Sequence, residues 1–128
     1  AAAGLVPAAV REQWPADRPD RRYDFARPHL REGDVVMSRW PRAARRLASW
    51  GVRAVAPPYP YPFLPDERRR HAAHRRMFAA RTSPAERREI ADRYGVRCVL
   101  GPSDMKITGF RPVARRGKAV LTCKIAAS

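Results

Sequence analysis

Thirteen prolines constrain this 128-residue chain more than any other feature. Proline fixes φ, lacks an amide donor and is excluded from helix interiors and central strands. The prolines gather at 15–28 and at 57–65, the second cluster holding five in nine residues. This spacing excludes a coiled coil and predicts short elements joined by stiff, extended connections. Regular structure is therefore expected chiefly between residue 33 and residue 56, and again from residue 66 onward.

In the first window Gly33-Asp34 reads as a turn and Val35-Val36-Met37 as a buried strand. Pro41 suits the first turn of a helix whose apolar stripe is Ala43, Ala44, Leu47, Ala48 and Trp50, with Gly51 as its C-terminal cap. Val52, Ala54 and Val55 then form a second strand, which predicts a β-α-β unit with parallel strands. The proline-rich segment 57–65 should be a loop at the carboxyl end of that strand, where open α/β sheets place ligand crevices.

Asp66 and Glu67 open a helix running to about Ala80, with a narrow apolar face of Ala73, Met77 and Ala80. Ser83-Pro84-Ala85-Glu86 matches a capping box, and Gly95 ends the helix it starts. Residues 96–100 read as a third strand, and 107–113 as irregular because Gly109 and Pro112 interrupt them. Ala119, Leu121, Cys123 and Ile125 alternate as a last, half-buried strand. The expected fold class is α/β: a small three- to four-stranded sheet, partly parallel, with about three packed helices. Residues 1–32 read as an irregular, basic, Pro-rich N-terminal arm lying across the domain, with Phe25 and Leu30 as its apolar contacts. Residues 33–128 read as a single compact α/β domain.

The chain carries 27 Lys+Arg against 12 Asp+Glu, a formal net charge of +15. Only Lys106, Lys118 and Lys124 are lysines, so 24 of these cations are arginines, a bias that a GC-rich genome also produces. Such a field draws in anionic lipid headgroups, nucleic acid or an acidic protein without choosing among them. Zinc-finger spacing, a Gly-rich phosphate loop and an aromatic RNA-binding strand motif are all missing, so no cofactor is expected. No apolar run approaches the roughly 18–20 residues of a membrane span. Residues 1–7 lack the basic lead-in of a signal peptide.

The expected anion-binding set is Arg68, Arg69, Arg70, Arg75 and Arg76 on the helix after the proline-rich loop. Tyr59, Tyr61 and Phe63 form an apolar contact loop beside it, stiffened by the prolines. His71 and His74 lie i, i+3, but a metal needs a third ligand and their neighbours are cations, so no metal site is expected. Cys98 and Cys123 fall in two predicted strands. Paired strands in an oxidising compartment would let them bond, although two buried thiols are the simpler expectation. Ser83 reads as a cap, His29 belongs to no motif, and Asp34 sits in a turn, while Asp104 lies near a strand end. No catalytic residue is assigned, and a stand-alone enzyme acting on phosphorylated substrates ranks last.

Gly33-Asp34-Val35-Val36, 51–57 (GVRAVAP), Asp66-Glu67-Arg68-Arg69-Arg70, Ala85-Glu86-Arg87-Arg88 and 94–100 (YGVRCVL) occur in series. Over about residues 33–125 this order resembles the extracytoplasmic C-terminal α/β domain of bacterial multi-spanning membrane proteins related to lipid-linked-sugar glycosyltransferases. The resemblance implies a non-catalytic accessory domain on the outer face of the cytoplasmic membrane, near anionic lipid headgroups or lipid-linked sugar phosphate. It carries over no catalytic residue, because in those relatives the catalytic carboxylates belong to loops of the membrane portion. The alternative is a small basic subunit of a nucleic-acid-containing or organellar assembly, using the arm at 11–31 to run along a partner. An arm folded onto its own core favours the first reading, and an extended arm favours the second.

Overall fold

A computed structural model of the protein describes residues 21–56 and 66–126. A 3-10 helix at Arg21–His29 leads into β1 (Val35–Ser38), α1 (Pro41–Ala48) and β2 (Arg53–Ala54). Next come α2 (Glu67–Phe78), α3 (Pro84–Tyr94), β3 (Cys98–Pro102), β4 (Phe110–Arg116) and β5 (Ala119–Lys124). The five strands form one mixed sheet in the order β2-β1-β3-β5-β4. β1 is parallel to β2, as the β-α-β pattern predicts, and also to β3, and β5 is antiparallel to β3 and β4.

The α/β class stands, with a strand count above the three to four expected. The additional strand is β4, which covers much of the segment read as irregular. Gly109 adopts φ +77° just before it, and the ladder shifts register between Pro112 and Ala114. On an edge strand a bulge tolerates a residue without an amide donor, so Pro112 bends β4 instead of ending it.

Alternation along the strands builds two cores, one on each face of the sheet. Met37 and Val99 point to the face covered by α2 and α3, where Ala73, Met77, Ile90 and Ala91 meet them. Val36, Cys98, Leu100, Leu121 and Cys123 point the other way, under Ala43 and Leu47 of α1 and Tyr23 and Ala26 of the 3-10 helix. β5 is thus covered on both faces, with Val120 and Thr122 buried as well as Leu121 and Cys123, and is not the half-buried strand expected.

Residues 21–29 are folded back onto the domain. Tyr23 stacks on Trp40 at 6.0 Å between ring centroids, and Arg27 and Arg46 flank the Trp50 ring at 5.5 and 5.4 Å. Arg46 also donates to both carboxylate oxygens of Asp24, at 2.9 and 3.2 Å. Its guanidinium holds the Asp24 carboxyl below its ordinary range. Phe25 and Leu30 are partly buried against the same core, while the fully covered residues are Tyr23 and Ala26.

Two internal ties lock the helices and strands together. Arg87 on α3 is only 7% exposed and donates to Met77 O at 2.9 Å, Ala79 O at 2.9 Å and Lys106 O at 3.1 Å. It supplies the donors that carbonyls at the end of α2 would otherwise lack. Cys98 and Cys123 stand opposite each other in the antiparallel register, with Cα atoms 4.0 Å apart, and are joined in a disulfide. This replaces the expectation of two free thiols, because adjacency of β3 and β5 was the missing condition.

Reduction of a crosslink spanning 25 residues should lower unfolding free energy by about 3 kcal/mol, read from denaturant midpoints with and without reductant. Identical midpoints would show that the crosslink contributes nothing. Arg87→Ala should cost roughly 2–4 kcal/mol, and Arg87→Lys should recover little of it, since an ammonium cannot span three carbonyls in a planar fork.

Candidate functional site

The topology opens a crevice at the carboxyl end of β1. From there the chain leaves toward α1 on one face, whereas α2 and α3, on the other face, lead into β3 on β1's opposite side. Diverging connections of this kind leave space above the strand ends. A pocket of about 200 Å³ fills it, lined by Ser38, Arg39, Trp40, Pro41, Ala44, Ala56, His71 and His74.

Each wall has a local cause. The Arg39 amide donates to Leu100 O at 2.9 Å, which ties the turn after β1 to β3. Ser38 Oγ donates to Trp40 O at 3.0 Å and accepts from the Trp40 amide at 3.3 Å, closing the turn on itself. Trp40 is the N-cap of α1 in extended conformation, and its side chain makes no capping hydrogen bond. The first amides of α1 lack intrahelical acceptors, and no acidic residue lies in its first turn. From α2, His74 Nε2 lies 2.6 Å from Ser38 O, and its ring leans on Phe78 at 4.9 Å. Burial, reinforced by the charges of Arg39, His71 and Arg75, lowers the His74 pKa below its ordinary value, partly opposed by the bond to Ser38. His71 Nε2 lies 3.6 Å from Glu67 Oε1.

The five arginines proposed from sequence do not form one patch. At 3.6 residues per turn, α2 divides them between its outer side and the groove it forms with α3. Arg68 and Arg75 are exposed on its outer side. Arg69, Arg70 and Arg76 line a groove of about 810 Å³ between α2 and α3, with Asp66, Glu86, Glu89 and Arg93. Arg70 turns inward, donating to Val55 O at 3.2 Å and lying 5.4 Å from the centre of the Tyr94 ring. Arg76 is engaged as well, through a two-pronged ion pair to Glu86 in which Nη2 meets Oε1 at 3.0 Å. The solvent-facing members without a partner among the described residues are Arg68, Arg69 and Arg75. Tyr59, Tyr61 and Phe63 lie outside the described residues.

Other candidates have structural duties. Asp34 Oδ2 accepts from Arg97 Nη1 at 2.7 Å and from the Arg31 amide at 2.8 Å, clamping the turn before β1. Ser83 Oγ accepts from the Glu86 amide at 3.1 Å, but the Glu86 carboxylate goes to Arg76, so only half of the capping box forms. Arg39 and Trp40 escaped the sequence reading. Their position between a strand and the first proline of its crossover helix was the available signal.

Because the folded His74 prefers to stay neutral, the unfolded chain, with a pKa near 6.5, binds its proton first as pH falls. Stability should therefore decline over the window that opens near the unfolded value of 6.5 and extends downward from it as pH falls. The His74→Gln variant should show a shallower decline in urea midpoint over that window. Equal slopes for the two proteins would remove His74 as the source.

Compared with protein-family models, curated proteins and solved structures, the chain matches none.

Proposed function

We propose that this chain is a non-catalytic accessory domain that lies against an anionic membrane surface on the extracytoplasmic side. It would belong to a larger membrane protein of the glycosyltransferase-like kind its sequence resembles, and position anionic lipid or lipid-linked sugar phosphate. The observation that carries the reading is a disulfide at the centre of the sheet in a chain of net charge +15. Disulfides persist in oxidising compartments, and there an extended anionic partner is more readily a lipid surface than nucleic acid. No helix among the described residues is long and apolar enough to cross a membrane, which suits a domain held at the surface by charge.

Of the arm at 11–31, residues 11–20 lie outside the described residues, and the fold-back of residues 21–29 supports this reading over the basic assembly subunit, whose arm would reach outward. Within α2, Arg68, Arg69 and Arg75 are the cations left to meet phosphates, because Arg70 and Arg76 are committed to the protein itself. Each basic residue near an anionic surface contributes about 1 kcal/mol, so together the three are worth roughly 3 kcal/mol.

Replacing Arg68, Arg69 and Arg75 with Gln should weaken partitioning onto phosphatidylglycerol vesicles by at least about tenfold. The thermal unfolding midpoint should hold, since all three side chains are exposed. Unchanged partitioning of a folded triple variant would defeat the assignment.

A further inference from the structure

We infer that the pocket at the carboxyl end of β1 binds a phosphate ester, with Arg39 as its principal cation. The inference rests on the proposed reading for the class of ligand and adds where its phosphate sits. A phosphate ester is the chemistry shared by a lipid headgroup and a soluble phosphorylated sugar.

The charge of the lining makes the first argument. Arg39 supplies positive charge to a lining that also holds His71 and His74, and among the described residues none that lines the pocket is acidic. The Glu67 carboxylate lies 3.6 Å from the His71 ring and is not among the lining residues. The larger groove between α2 and α3 differs, since Asp66, Glu86 and Glu89 stand among its arginines and oppose an anion. Arg39 is exposed and its guanidinium has no partner among the described residues, so it is available to a ligand. Its backbone is nonetheless fixed, by the amide bond to Leu100 O.

The walls make the second argument. Trp40 and Pro41 form an apolar side, and Tyr23 stacks on Trp40 at 6.0 Å, so that wall is held in place. Opposite it, His74 is anchored on Ser38 O, which fixes the position of α2 relative to β1. A planar guanidinium on a short anchored turn, facing a rigid wall, suits two-pronged binding of phosphate oxygens. Ala44, one turn into α1, continues the apolar side beyond Pro41.

The test uses the full chain and follows amide and imidazole resonances by NMR during titration with glycerol 3-phosphate, with glycerol as control. The expected result is a saturable shift of the Arg39 and Trp40 amides and the His71 and His74 rings, absent with glycerol. Arg39→Gln should weaken that binding at least tenfold while leaving the unfolding midpoint in place. No shift at these groups, or equal affinity for Arg39→Gln, would overturn the inference. A parallel arm uses phosphatidylglycerol vesicles. The same resonances responding to vesicles would identify lipid as the source of the phosphate, and a response to the soluble ester alone would identify a soluble ligand. Vesicle binding that persists without any response in the pocket overturns this inference and leaves the surface reading standing. A pocket response without vesicle binding supports the inference and defeats the surface reading.

Discussion

The pairing of β3 with β5 holds the two halves of this molecule together. β3 is the last strand of the parallel half and the first partner of the C-terminal hairpin, in a ladder running from Cys98 opposite Cys123 to Pro102 opposite Ala119. A slip of one residue would send Leu121 and Cys123 to the wrong face and remove the floor beneath α1 and the 3-10 helix. The disulfide closes off that alternative. The pocket depends on the same strand, because the turn carrying Arg39 is fixed to Leu100 of β3.

The arginines divide by surroundings more than by position in the sequence. Arg87, buried, bonds three carbonyls, and burial lowers its pKa from the ordinary value. Charge-assisted bonds of that kind, shielded from water, outweigh exposed ion pairs such as Arg88 with Asp92, whose contribution is at most about 1 kcal/mol. Arg46, Arg70, Arg76 and Arg97 are tied to the fold in intermediate ways. The +15 charge is therefore an uneven coat in which some arginines are committed to the fold and others, Arg39, Arg68, Arg69 and Arg75 among them, have no side-chain partner among the described residues.

Local signals were legible wherever a single element explains them. The β-α-β unit, the Ser83 cap and the left-handed Gly95 that ends α3 follow from residues within a turn of one another. Pairing across the sheet was not legible in the same way. β4 was hidden because Gly109 and Pro112 look like breakers until the strand is known to lie at an edge. Cys98 and Cys123 needed the register. Arg87 and Arg88 are identical neighbours, and only packing decides that one is buried. In residues 21–29 the 3-10 geometry places i and i+3 on one side, so Tyr23 and Ala26 are buried, while the Phe25 and Leu30 chosen from sequence pack against the same core partly buried. For the site, α2 was recognised as basic, but its helical rotation spread the arginines and gave the pocket to residues after β1.

The central claim is that the free cations of this domain serve an anionic membrane surface. Its most direct test is co-sedimentation with phosphatidylglycerol vesicles against RNA at equal phosphate concentration, across a range of salt. The account predicts that the protein stays with the vesicles and that salt weakens this only in part, since an apolar wall accompanies the charge. Transfer to RNA with a steep salt slope, the mark of counterion release, would contradict it.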